Sequence, residues 1–134
     1  MNKKQNKEEV LFLTYGTLKQ NYGNYNAILK DKSEFLGTFS TEPNYTMYDG
    51  GFPIVEREGN TSIIGELHKT SDPQTIDRVF SLEGCHREQN HPNSWYTYDI
   101  IETPYGQAIM FVMDKGSCKR SKIVETGNWG YVGI

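Results

Sequence analysis

Val10-Leu11-Phe12-Leu13-Thr14-Tyr15-Gly16-Thr17-Leu18 is the stretch that decides the reading of this chain. Four consecutive apolar residues at its head predict a strand covered on both faces, because a half-wetted strand alternates apolar with polar. The strand must end in a turn at Gly16. A glycine turn aims several backbone N–H groups outward, and such a concavity holds a carboxylate or phosphate without a cationic side chain. It is not a nucleotide-type phosphate loop: Lys19 follows, but the GxxxxGK[ST] spacing is absent. Taken alone, the stretch equally fits an ordinary strand-to-loop turn. Its partner is a second stretch far downstream, Leu82-Glu83-Gly84, where a lone acid ends a helical pattern. An anion cradle with one sheltered carboxylate is a site for a small zwitterion such as an amino-acid derivative.

That helix is the best-defined in the chain. Asp72 is an N-cap, Pro73 takes the first helical position, and Gly84 is the stop. Ile76, Val79, Phe80 and Glu83 fall at i, i+3, i+4 and i+7, which puts the acid on the apolar face. An acid buried there loses solvation, and its pKa rises toward the range useful for proton transfer. Two other readings stand beside this one: a frayed residue facing solvent, or a structural carboxylate paired to an arginine such as Arg87. The helix dipole disfavours a carboxylate at this end in every case.

Elsewhere the pattern predicts short elements. Asn24 caps a short helix over residues 25–30, with Ala27, Ile28 and Leu29 as its apolar side. Strands are expected at 34–36, 45–48, 52–55 and 61–68, with turns at Asp49-Gly50-Gly51 and Glu58-Gly59-Asn60. Pro53 argues for an edge or bulge, and Gly65 for a bulge or a close backbone approach. Residues 85–94 form a polar loop. Residues 95–102 and 107–113 then make a hairpin around Pro104-Tyr105-Gly106, and the tail docks through Trp129 and Tyr131. Many short strands with two helices predict an α+β fold, a small closed or strongly curved β-barrel with flanking helices. Residues 1–9 read as a flexible arm and 10–134 as a single domain.

Composition narrows the function. A chain of 134 residues and 15.4 kDa suits one core, and nine Tyr, six Phe and two Trp are too much aromatic mass for a disordered chain. A net charge of −3 draws it toward neither nucleic acid nor acidic membranes, and Lys115, Lys119, Arg120 and Lys122 read as a solvated tail. The polar start is followed by too short an apolar run for a signal-peptide core, and no run approaches a membrane span. Cys85 and Cys118 are too few for a disulfide framework and read as free thiols in a reducing cytoplasm. His68, Cys85, His86, His91 and Cys118 lack any CxxC or HxxxH pair, so no metal site is expected. No serine sits in a GxSxG elbow.

In order along the chain, the segments 11–19, Gly51-Phe52-Pro53-Ile54-Val55, Ile64-Gly65-Glu66-Leu67 and Leu82-Glu83-Gly84, with Tyr96 beyond, resemble the gamma-glutamylcyclotransferase-like family. That family also contains the plant avirulence-induced-gene proteins and the γ-glutamylamine cyclotransferases. The resemblance implies a cavity in which the Tyr15-Gly16-Thr17-Leu18 backbone holds a substrate α-carboxylate, with Tyr96 in the binding site and Glu83 as catalytic acid and base. It implies a carbon–nitrogen lyase of the amidine-lyase type that releases 5-oxoproline and a free amine from a γ-glutamyl amine or γ-glutamyl amino acid, without cofactor. Two positions depart from the pattern: Tyr96-Thr97-Tyr98 lacks the arginine often found there, and Phe80 stands where an acid is common. Both touch the pocket rim and its packing, and so the leaving group. The rivals are a non-catalytic binding domain of the same fold for an amino-acid-like ligand, and a related cyclase accepting a larger leaving group.

Overall fold

The computed structural model describes residues 9–16, 19, 23, 25–49, 53–92, 94, 96–114 and 122–129. Strand β1 (Val10–Thr14) is buried along its whole length. It lies in the middle of a five-stranded sheet, with β5 (Ile64–Thr70) on one side and β7 (Gly106–Val112) on the other. β2 (Glu34–Ser40) and β6 (Thr97–Thr103) close the two ends of that sheet. The central place explains the continuous apolar run, since side chains alternate between two covered faces. Val10 and Phe12 join one core cluster, whereas Leu11 and Leu13 join the other.

Helix α1 (Pro73–Leu82) and a five-residue π-helical turn (Tyr25–Leu29) cover the first face. Phe80 stands edge-on to Phe12 and Phe111, with ring centroids 6.0 and 5.3 Å away, so the departure noted at this position is spent on packing. The second face is covered by a three-stranded sheet in the order β4 (Pro53–Arg57), β3 (Tyr45–Asp49), β8 (Lys122–Ile123). Met47, Val55, Leu67, Met110 and Val112 fill the space between. Pro53 opens an end strand, where its missing N–H costs no ladder bond.

The expected closure into a barrel is not seen among the described residues. The strands form two sheets, joined where Met113, just past β7, bonds to both sides of Glu56: Met113 N–H donates to Val55 O (2.8 Å) and Arg57 N–H to Met113 O (2.9 Å). One residue of pairing couples the sheets without merging them. The fold is α+β, with a sheet-rich core and few helices. No described helix is long and apolar enough to cross a membrane.

Several local expectations hold. The hairpin pairs Thr97 with Val112 through to Thr103 with Gly106. Gly65 lies so close to β1 that a Cβ there would meet the Thr14 carbonyl oxygen at 2.5 Å. Three expectations change. The helix over 25–30 is π-wound, with Lys30 N–H bonded five residues back to Tyr25 O (2.9 Å). Strand 34–36 runs on to Ser40, because a bulge at Leu36 and Gly37 keeps β2 in step with β5. The strand expected over 61–68 starts at Ile64 and runs to Thr70, which extends its pairing to Val10. Asn24, Gly50, Gly51, Phe52, Trp95, Cys118 and Tyr131 lie outside the described residues.

Candidate active site

The C-terminus of α1 sets the position of Glu83. Cys85 N–H donates to Phe80 O (3.0 Å) and Gly84 N–H to Ser81 O (3.1 Å), while Gly84 adopts φ 61°. This is the Schellman arrangement, in which a left-handed glycine satisfies the last carbonyls and reverses the chain. Glu83 is the cap residue inside that reversal. At the other end, Asp72 Oδ2 accepts from Thr75 N–H (3.3 Å) and Thr75 Oγ1–H (2.6 Å), which fixes the start of the helix and hence its phase. Both ends read from the sequence are confirmed.

Part of Glu83 reaches the surface, but burial of its carboxyl pushes the pKa from 4.5 to about 7. Of the readings left open above, the paired carboxylate falls, because Arg87 turns to Asp77 (2.5 Å) and lies over the Phe80 ring at 4.6 Å.

On the sheet side, Tyr15 lies within electrostatic reach of Glu83 and hydrogen-bonds with Tyr96. Tyr15 follows β1 directly; its hydroxyl donates to Phe111 O on β7 (2.6 Å) and takes a hydrogen bond from the Val55 backbone on β4. The side chain thus ties the two sheets together. Burial, followed by the charges of Tyr96 and Glu83, holds its hydroxyl well above the ordinary tyrosine range, and Tyr96 also hydrogen-bonds to it. Tyr96 is itself buried, just ahead of β6. Three residues remote in sequence therefore converge: Tyr15, hydrogen-bonded with Tyr96, lies within reach of the charge of an acid that titrates at about 7.

Gly16 opens the turn after β1, and Lys19 N–H closes it on Gly16 O (2.9 Å). A Cβ at Gly16 would meet Pro53 Cγ at 2.8 Å, so the backbone passes hard against β4. Thr17 and Leu18, the other two expected binding residues, lie outside the described residues. Lys19 Nζ donates to Trp129 O (2.6 Å) and Asn128 Oδ1 (3.5 Å), clasping the turn to the C-terminal segment, whose Trp129 packs on the core as expected.

Sequence reasoning missed two neighbours. Cys85 is buried close enough to Glu83 that desolvation, then the carboxylate's charge, pushes its thiol up to about 11. Its position just past the reversing Gly84 was the available signal. The second is Glu66, which pairs with Thr14 at the end of β1 and whose charge acts on Lys19.

The model of the family described as gamma-glutamyl cyclotransferase, AIG2-like, matches residues 12–131, a span that takes in the turn, Glu83 and Tyr96. The chain belongs to that family. Among relatives of this family, the gamma-glutamylcyclotransferase family protein YtfP of Escherichia coli K12 is 30% identical over 115 residues, covering 86% of this chain and 91% of that one. A Vibrio cholerae relative, whose given name makes gamma-glutamylcyclotransferase its provisional activity, is 32% identical over 120 residues, covering 89% and 94%. The solution structure of Escherichia coli YtfP superposes with a TM-score of 0.66 at 27% identity, covering 91% of this chain and 96% of that chain. The family's shared α+β architecture is thus the one described above.

Proposed function

We propose that the protein is a cofactor-independent cyclotransferase that releases 5-oxoproline and a free amine from a small γ-glutamyl amine or γ-glutamyl amino acid. The observation that carries this reading is Glu83: an acid at the capped end of α1, beside two buried phenols, with burial lifting its pKa to about 7. A group that titrates there both accepts and returns a proton at neutral pH.

In this scheme the turn opening at Tyr15 and Gly16, with Thr17 and Leu18 beyond, receives the substrate's α-carboxylate on its backbone N–H groups, and Tyr96 lines the site. The Glu83 carboxylate takes one proton from the α-ammonium. The resulting amine attacks the γ-carbonyl carbon and forms the new C–N bond of a five-membered ring. Protonated Glu83 gives its proton to the departing nitrogen as the old C–N bond breaks. The ring nitrogen's remaining extra proton passes to the released amine, so charge and protons balance. The nucleophile belongs to the substrate, and intramolecular attack gains rate from proximity, so a cradle and one acid–base group suffice. Cys85, a free thiol among the described residues, suits a reducing cytoplasm.

The test is 5-oxoproline release from γ-glutamyl-ε-lysine, γ-glutamyl amino acids and glutathione, wild type beside Glu83→Gln. Turnover by wild type with a loss of at least about 100-fold in the folded variant is expected. Equal turnover in the two proteins would refute the mechanism. Binding of glutamyl compounds without turnover would identify a binding domain instead.

A further inference from the structure

His68, on β5, has no exposed surface. Its ring packs against those of Tyr25 and Phe35, with both centroids 5.5 Å away. Nε2 is 3.1 Å from Glu66 Oε1, whereas Nδ1 is buried without a hydrogen-bond partner. The carboxylate contact assigns the proton to Nε2 and leaves Nδ1 a bare acceptor. An apolar residue would fill this place against two aromatic rings without an orphaned nitrogen, and buried polar atoms in native folds are rarely left unpaired. The imidazole is therefore kept for what Nε2 does, which is to hold Glu66.

Glu66 connects that interior contact to the site. On β5 it sits directly across from Thr14, the last residue before Tyr15, and Thr14 Oγ1–H donates to its backbone carbonyl (3.3 Å). The charge of its carboxylate acts on Lys19, whose ammonium it favours against the cost of partial burial. Lys19 in turn closes the turn with Gly16 and clasps the segment at Trp129. The π-helical turn that brings Tyr25 against His68 is a rare, wide winding, frequently seen at functional sites.

We propose that His68 is a positioning residue of the carboxylate cradle: its Nε2–H orients the Glu66 carboxylate on the strand that pairs with Thr14, and the charge so placed steadies Lys19, which closes the turn on which the substrate's α-carboxylate is held. The inference rests on the cyclotransferase reading for its kinetic form, but not for its binding form. His68 touches neither substrate nor Glu83 in this scheme, so its loss weakens ground-state and transition-state binding alike.

Two measurements on the full chain test it: steady-state kinetics with the best γ-glutamyl substrate, and calorimetric binding of 5-oxoproline. In His68→Leu, KM rises about tenfold with kcat within about twofold, and 5-oxoproline binds about tenfold more weakly, the size of one lost hydrogen bond to a charged group. His68→Gln, which can still donate from its side-chain amide, recovers most of that loss. Glu66→Gln, which removes the charge acting on Lys19, raises KM similarly and carries the test if His68→Leu does not fold. Unchanged KM and binding in folded His68→Leu, or in Glu66→Gln, would overturn the proposal, as would a fall in kcat at constant KM. If wild type binds 5-oxoproline without turnover, the cyclotransferase reading fails and the binding ratios alone decide the role of His68. If wild type does neither, both fall.

Discussion

Replacing Glu83 with glutamine should make the protein more stable at alkaline pH. The carboxyl titrates at about 7 in the folded chain against 4.5 for an ordinary glutamate, and burial is the cause. The folded state therefore binds this proton more tightly than the unfolded one. Wild type has its full relative stability below pH 4.5, loses it progressively as pH rises to about 7, and stays level above that. At about 1.4 kcal/mol per pKa unit, the accumulated cost at pH 8 is up to about 3 kcal/mol. Glutamine keeps the shape and cannot ionise, so Glu83→Gln should match wild type near pH 4.5 and exceed it by that amount at pH 8. For a chain of this length the difference corresponds to a rise of roughly 10 °C in Tm. Urea unfolding of both proteins at half-unit steps from pH 4.5 to 8.5 measures it, and every other titrating group cancels in the difference. A difference that is flat with pH would show that the carboxyl is solvated, and the site would lose its acid–base group. A variant less stable at pH 8 would mean that a cation or donor stabilises the carboxylate, which inverts the assignment.

Two further outcomes follow from the same geometry. The kcat/KM for 5-oxoproline release should fall about tenfold per pH unit below about 7, because only the ionised Glu83 can accept the substrate proton; a plateau down to pH 5 would exclude Glu83 as the base. Gly84→Ala, which forces a Cβ into a residue at φ 61°, should cost about 1 kcal/mol in urea unfolding and lower kcat as the reversal that holds Glu83 relaxes. Unchanged stability and kcat together would show that the glycine conformation does not hold the acid.

What was legible in the sequence is what local physics dictates. β1 could be found because a run buried on both faces has no other use in a small domain. Helix α1 could be found to the residue at its start, because Asp72 and Pro73 each satisfy a constraint of the first turn. Helical periodicity put Glu83 on the apolar face, and the reading in which it pairs with Arg87 fell only when Arg87 proved to pair with Asp77. The Tyr15 bond to Phe111 joins residues 96 apart, the parallel pairing of β1 with β7 spans a similar distance, and no local pattern encodes either. The open join at Met113 escaped for the same reason, since closure depends on the register of strands that never meet in sequence.

The His68–Glu66 contact is a different case, because it was legible and was read as something else. Residues 66 and 68 lie on one strand two apart, so their side chains share a face by the period of the pleat. On the face covered by Tyr25, a polar pair at that spacing is either costly or retained for a reason. Grouping His68 with the other His and Cys residues as a possible metal ligand hid this, because metal-site reasoning looks for neighbours of the same kind. The neighbour that mattered was a carboxylate in the same strand. It leads across the ladder to Thr14, and from there to the turn that follows the fully buried strand β1.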